Sequence, residues 1–172
     1  RVGACAPPRG GRPRADVQDG VVAAVAGVLK EWGVAVRTED RTGLELTQKR
    51  MDLSAPLGGD WGTVGLMVDF TRRCGGDQEG LRRAEEAKEV KYNRIYNHPV
   101  TMRGAAFNEF AGLGPRAREV VTRLVELGEC ATGAHPDDLR LELLARLGAA
   151  VHLGNASAMA YFRTVNDDVR GC

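Results

Sequence analysis

The sequence has little net charge and few aromatic side chains. Its 24 Lys and Arg residues oppose 23 Asp and Glu residues, giving a formal net charge of +1, and aromatic residues make up 5% of the 172 positions. A balance this close to neutrality excludes any argument from overall charge for a polyanionic partner. A nucleic-acid contact must therefore depend on local clusters of basic residues.

Paired cysteines, regularly spaced histidines and long apolar runs are also missing. The four cysteines form no Cys-X-X-Cys pair and the three histidines share no ligand spacing, which argues against a zinc site or a dithiol redox centre. The longest mostly apolar run, residues 21–29, is far shorter than the roughly 20 residues that span a bilayer. These absences predict an intracellular protein with reduced cysteines and no membrane partner.

The chain length predicts one compact domain with short flanks. The first fourteen residues hold four arginines, three prolines and no acid, which favours a flexible basic lead-in over residues 1–15. That lead-in serves either as a linker or as a phosphate contact. We place the domain at residues 16–165 and a tail at 166–172. Because the chain begins with Arg1 instead of Met, we expect it to be part of a longer reading frame.

Hydrophobic periodicity and turn residues predict the order of helices and strands. A helix is predicted from its cap Asp16 to Gly33, and a second over residues 77–97 with Asp77 as its cap. Strands are predicted at residues 34–38, 50–55, 64–71 and 105–110. Two closing helices are predicted at 115–128 and 137–165, and Gly154 is a candidate break in the last. The order α, β, β, β, α, β, α, α predicts an α/β fold with a mixed four-stranded sheet flanked by helices.

Two aspartates lie in neighbouring predicted strands. Asp69 is near the end of the most apolar strand, where a buried carboxylate is costly unless it is paired or bound to a metal. A hairpin between the second and third strands brings Asp52 and Asp69 to one end of the sheet, which predicts a Mg²⁺ site. The alternative is that Asp69 ends its strand and Asp52 is merely exposed.

The helix after the third strand carries two lysines on its apolar stripe. Steps of three and four place Leu81, Ala84, Lys88, Lys91 and Ile95 on one face. Lysines directed towards two carboxylates suit a bound phosphoryl group. The alternative is that each lysine extends to solvent and pairs with Glu85 or Glu89 at helical spacing.

The runs KRMDLSA, GLMVDFT and AEEAKEVKY resemble the motif series of a known nuclease domain. It is the restriction-like endonuclease domain of non-LTR retrotransposon reverse transcriptase polyproteins, a branch of the PD-(D/E)XK superfamily. FNEFAGLGPRAREVVTRL and the closing LARLGAAVHLGNASAMAYF extend the likeness over roughly residues 16–165. The resemblance implies a restriction-endonuclease-like αβββαβ core with two additional carboxy-terminal helices.

The resemblance also implies roles for individual residues. Asp52, Asp69 and the backbone carbonyl of Phe70 would bind Mg²⁺ or Mn²⁺, while Lys88 and Lys91 would orient water and stabilise the scissile phosphate. This chain departs from the family at two positions. Met51 replaces the usual proline, and Thr71 occupies the place where many members carry the lysine. Glu39 is either a further acid near the metal or a solvated loop residue.

The function implied is metal-dependent DNA cleavage or nicking that primes reverse transcription in the nucleus. Element RNA would be a further partner through domains upstream. Two alternatives remain: a noncatalytic DNA-binding module of the same fold, and a host repair nuclease. The residues predicted to contact the DNA backbone are Arg50, Arg72, Arg73 and Tyr92. Arg82 and Arg83 are candidates for the same contact, and the alternative for these two and for Arg72 and Arg73 is an exposed, solvated face.

Overall fold

A computed structural model describes residues 13–40, 51–56, 65–93 and 101–170. Within these residues, four helices and four strands follow one another in the predicted order. The helices are α1 (Pro13–Glu31), α2 (Gln78–Asn93), α3 (Pro115–Thr132) and α4 (Pro136–Arg170). The strands are β1 (Arg37–Asp40), β2 (Met51–Ala55), β3 (Leu66–Arg73) and β4 (Thr101–Asn108). No helix in the described ranges is long and apolar enough to cross a membrane.

The strands form one mixed sheet in the order β1-β2-β3-β4. β2 is antiparallel to both β1 and β3, whereas β3 and β4 are parallel and joined through α2. The apolar strand β3 has a partner on each side, as its composition predicts. The predicted α/β class and mixed four-stranded sheet are confirmed.

Helices cover both faces of this sheet. The main core lies between one face and helices α1, α3 and α4, and it includes Val25, Leu53 and Phe107. On the other face, α2 packs Leu81 and Ala84 against Ala106 of β4. The sheet is therefore enclosed, and polar side chains on its strands are partly removed from water.

Two glycines that were predicted to end or break a helix lie inside helices, where they permit close packing. A Cβ on Gly128 would lie 2.4 Å from the Trp32 ring, so this glycine lets α3 pack closely, and the helix continues to Thr132 before Gly133. Similarly, a Cβ on Gly154 would lie 2.8 Å from a Val17 methyl group. The predicted break there is wrong, since α4 is continuous.

Three other ends also differ from the predictions. α1 begins at Pro13, so Asp16 lies inside the helix and not at its cap. β1 is shifted to Arg37–Asp40, and β4 begins at Thr101 instead of residue 105. β4 ends at Asn108 because that side chain accepts hydrogen bonds from the amides of Phe110 and Gly112, which turns the chain. The predicted cap Asp77 is confirmed by its bond from the Gly80 amide, 2.7 Å.

Candidate active site

Asp52 and Asp69 lie at the end of the paired region of β2 and β3. The strands are paired at Leu53–Val68 and Ser54–Met67, and one further step of this register brings Asp52 opposite Asp69. The two carboxyl groups are close enough for the charge of Asp69 to act on Asp52. Burial, followed by the charge of Asp69, raises the pKa of Asp52 from 3.8 to about 6. The two predicted acids therefore lie next to each other.

One oxygen of Asp52 is held by two donors. The backbone amide of Phe70 donates to Oδ2 at 2.7 Å, and Gln18 Nε2 of α1 donates to the same oxygen at 3.0 Å. These bonds fix the rotation of the carboxylate and occupy the same one of its oxygens. They also keep the Phe70 backbone, whose carbonyl is the third predicted ligand, beside Asp52.

Asp69 has one oxygen that accepts a hydrogen bond and one that has no partner among the described residues. The side chain of Lys88 donates to Oδ1 at 2.7 Å, and Asp69 as a whole is only 3% exposed. Its Oδ2 is buried and accepts no hydrogen bond from any residue that the structure describes. A buried carboxylate oxygen in this state is costly, and a bound cation or an ordered water would remove that cost.

These donors suit a hard divalent cation. Carboxylate and carbonyl oxygens are the ligands that Mg²⁺ and Mn²⁺ prefer. Asp69 Oδ2 is such an oxygen, it accepts no hydrogen bond from the described residues, and it lies beside a second carboxylate. The described residues contain no group of three or more His, Cys, Asp or Glu side chains able to hold a metal. Any ion here would therefore complete its shell with water, as Mg²⁺ usually does.

Lys88 reaches Asp69 because α2 lies very close to β4. Asp69 pairs with Gly104 in the parallel register of β3 and β4. A Cβ on Gly104 would lie 2.5 Å from the Glu85 carbonyl oxygen and 2.9 Å from Lys88 Cβ. Glycine at this position therefore permits the close approach that places the ammonium group on the neighbouring carboxylate.

Lys91 and Tyr92 occupy positions different from those expected. Tyr92 is 2% exposed and packs with Met51, Met67 and Met102, so it is not on a surface open to DNA. Lys91 is exposed, and its Nζ lies 3.3 Å from the Tyr92 hydroxyl oxygen and 4.6 Å from the ring centroid. The inward stripe therefore runs from Lys88 to Tyr92, a step of four, and Lys91 points outwards.

The predicted backbone-contacting arginines are in unequal situations. Arg72 is half-buried and donates to Asn155 of α4 at 2.5 Å, whereas Arg73 is exposed. Arg82 and Arg83 are engaged with Glu79, and Arg82 also with Glu86, so their charges are offset on the helix surface. Arg50 lies outside the described residues.

Glu39 lies beside the site in a strained backbone conformation. It has a φ of 54° and, with Thr38 and Asp52, lines a groove of about 440 Å³ whose other wall is formed by residues of α1. Left-handed backbone at a residue other than glycine is uncommon and is often found at functional sites. Of the two alternatives for Glu39, the loop position is wrong, because Glu39 lies in strand β1; its side chain is exposed, and whether it serves a metal stays a prediction.

Sequence reasoning missed two polar residues that organise the site. Gln18 is a polar residue beside Val17 and Val21 on the apolar face of α1. A polar residue at such a position was a signal in the sequence that its side chain has a buried partner. Asn155 belongs to the Gly-Asn-Ala run of α4, and its amide donates to the Glu109 carbonyl at 2.7 Å while its oxygen accepts from Arg72. It therefore joins α4 to the carboxy-terminal ends of β3 and β4.

No protein-family model matches this chain, and no curated protein matches it significantly.

Proposed function

We propose that this chain is a Mg²⁺- or Mn²⁺-dependent DNA endonuclease domain with a restriction-endonuclease-like core. The observation that carries the proposal is the buried, unengaged Oδ2 of Asp69 beside Asp52, with Lys88 on the other oxygen of the same carboxylate. Two acids from adjacent strands and an amine from the next helix suit metal-assisted phosphodiester hydrolysis. The order of α1, β1, β2, β3, α2 and β4 agrees with the αβββαβ core of the PD-(D/E)XK superfamily.

Each side chain has a defined task in this proposal. Asp52 and Asp69 hold the cation, with the Phe70 carbonyl as a third donor and Gln18 fixing the rotation of Asp52. When bound, the ion lowers the pKa of a coordinated water and offsets charge on the phosphate. Lys88 has three N–H donors, of which one is used by Asp69, so the others are available to a phosphate oxygen. That contact becomes stronger as negative charge develops in the transition state.

The substrate backbone is held by exposed cations on either side of the acids. Arg73 lies four residues beyond Asp69 on β3, and Lys91 lies one turn beyond Lys88 on α2. Both are exposed, so neither must be desolvated before a phosphate approaches. Contacts of this kind give salt-dependent affinity without sequence preference.

A plasmid-nicking assay tests the proposal. With Mg²⁺, the wild-type chain should convert supercoiled DNA to the open circle, and EDTA should stop it. Asp69→Asn should lower the rate by roughly 100-fold or more, because the principal cation ligand is lost. The matched control is Asp138→Asn, an exposed aspartate in the first turn of α4, which should keep the wild-type rate. Nicking that survives both EDTA and Asp69→Asn would overturn the proposal.

The cellular role that we propose is nicking of a nuclear DNA target to prime reverse transcription, in the manner of non-LTR retrotransposon polyproteins. A noncatalytic DNA-binding module predicts a different result. It would bind DNA with strong salt dependence and produce no open circle at any Mg²⁺ concentration. A host repair nuclease would also nick, but it would not use the nick to prime reverse transcription.

A further inference from the structure

Glu85 is a fully buried carboxylate outside the Asp52–Asp69 pair. It is 0% exposed, and its Oε1 accepts backbone hydrogen bonds from Ala106 at 3.1 Å and Ala117 at 2.9 Å. Its Oε2 accepts a third from Arg116 at 3.0 Å. Burial raises the pKa of Glu85, and the three amide donors oppose that rise. One side chain of α2 is thereby bonded to both β4 and α3.

The carboxylate takes the place of the cap that α3 lacks. The first amides of a helix have no partner within it, and Gly114 at the cap position has no side chain to supply one. Glu85 belongs to α2 and accepts hydrogen bonds from two of these amides, those of Arg116 and Ala117. A negative charge at this position also suits the positive amino-terminal end of α3. A Cβ on Gly114 would lie 2.3 Å from Glu85 Oε1, so the two residues fit only as a pair.

The same turn of α2 determines the position of Lys88. Glu85 and Lys88 are three residues apart and therefore share a helix face. The Glu85 backbone and the Lys88 Cβ lie against Gly104, the β4 residue paired with Asp69. Movement of this turn away from β4 would carry the Lys88 ammonium away from Asp69.

We propose that Glu85 is a positioning residue of the nuclease site, which acts through Lys88 by anchoring α2 to β4 and to the amino terminus of α3. The inference rests on the proposed function, because it assigns Lys88 the phosphate contact. Glu85 itself touches neither substrate nor cation. A purely structural Glu85 would affect stability without any specific link to Lys88.

Glu85→Gln tests this role, with Glu86→Gln as the matched control on the exposed side of the same helix. The side-chain NH₂ group that replaces Oε2 in glutamine cannot accept the hydrogen bond from the Arg116 backbone, so one of the three hydrogen bonds that anchor α2 is lost. We expect kcat for nicking to fall at least tenfold in Glu85→Gln, with KM for DNA within twofold of wild type. Glu86→Gln should leave both unchanged.

A double mutant separates positioning from general damage. If Glu85 acts through Lys88, Glu85→Gln should lower kcat in the wild-type background and have less than a twofold effect in Lys88→Met. An equal loss in both backgrounds, or no loss in a folded Glu85→Gln, overturns the inference. If Glu85→Gln does not fold, Gly114→Ala replaces it, since its methyl group displaces the same carboxylate.

Amine labelling tests the positioning without any need for catalysis. Acylation followed by mass spectrometry should modify the ion-paired Lys88 more slowly than the exposed Lys30 and Lys91. Glu85→Gln should raise the Lys88 rate at least fivefold and leave Lys30 unchanged. If the wild-type chain does not nick but labelling responds, the proposed function fails and the positioning role stands. If the chain nicks and Lys88 labelling does not respond, the positioning role fails.

Discussion

Asp52→Asn should stabilise the cation-free protein while abolishing its proposed activity. In the wild type, the ionised Asp52 is half-buried beside Asp69, and its partial burial together with the charge of Asp69 raises its pKa from 3.8 to about 6. Asparagine has nearly the same shape. Its oxygen can still accept from Gln18 and the Phe70 amide, and its amide can donate to Asp69. The substitution therefore removes the unfavourable charge and keeps the hydrogen bonds.

The pH dependence follows from linkage. The folded chain binds the Asp52 proton more tightly than the unfolded chain, so cation-free wild type loses stability as pH rises from about 3.8 to about 6. At about 1.4 kcal/mol per pH unit, the loss is at most about 3 kcal/mol. Asp52→Asn should be equal to wild type below pH 4 and more stable by up to about 3 kcal/mol at pH 7.5.

Thermal denaturation in EDTA measures this difference. For a chain of this size, each kcal/mol corresponds to roughly 2–4 °C in Tm. Addition of Mg²⁺ should raise the Tm of wild type and leave Asp52→Asn unchanged, because only the site with both acids binds the ion. The Asp138→Asn control should match wild type in EDTA and should keep the Mg²⁺-dependent rise in Tm, because both acids are intact. An Asp52→Asn chain that is no more stable than wild type at pH 7.5, or equally stabilised at pH 4, would refute the electrostatic argument.

Four further substitutions test the parts of the site. Lys88→Met should lower the nicking rate by roughly 100-fold or more, because a preorganised hydrogen-bond donor to the phosphate is lost. Lys91→Met should lower the rate less than tenfold. Equal effects would contradict the structural distinction between the two lysines. Gln18→Ala should weaken Mg²⁺ binding by roughly 10-fold or more, as the loss of a group that orients a ligand does, and a calorimetric Mg²⁺ titration with unchanged affinity would exclude that role. Gly104→Ala should lower the free energy of unfolding by about 1–3 kcal/mol through overpacking against α2, measured by urea denaturation. It should also lower the nicking rate, and an active, fully stable variant would show that α2 tolerates the displacement.

The elements that sequence reasoning placed correctly are those with a strong local signal. The apolar run of β3 and the Asp77 cap of α2 each depend on neighbouring residues alone. β4 was misplaced because residues 101–104 have no marked strand composition. They form a strand because β3 offers a parallel edge and because Gly104 lets α2 lie against it.

A shift of one residue along α2 changes which side chain faces the sheet. Steps of three and four from Leu81 reach Lys88 by either route, and from there Lys91 and Tyr92 are both allowed. The structure turns Tyr92 inwards, because the methionines of β2, β3 and β4 form an apolar pocket at that end of the sheet. Nothing within α2 itself contains that information.

From the sequence alone, two acids on consecutive strands and a lysine on the next helix were predicted to share one site, because strand alternation and helix periodicity are local properties of the chain. Only the tertiary structure decided which oxygen each partner occupies, that Gln18 orients Asp52, and that Glu85 is an anchor and not a solvated surface acid. These assignments depend on contacts between residues far apart in the chain. The free energy of burying a charge is likewise set by the elements that enclose it.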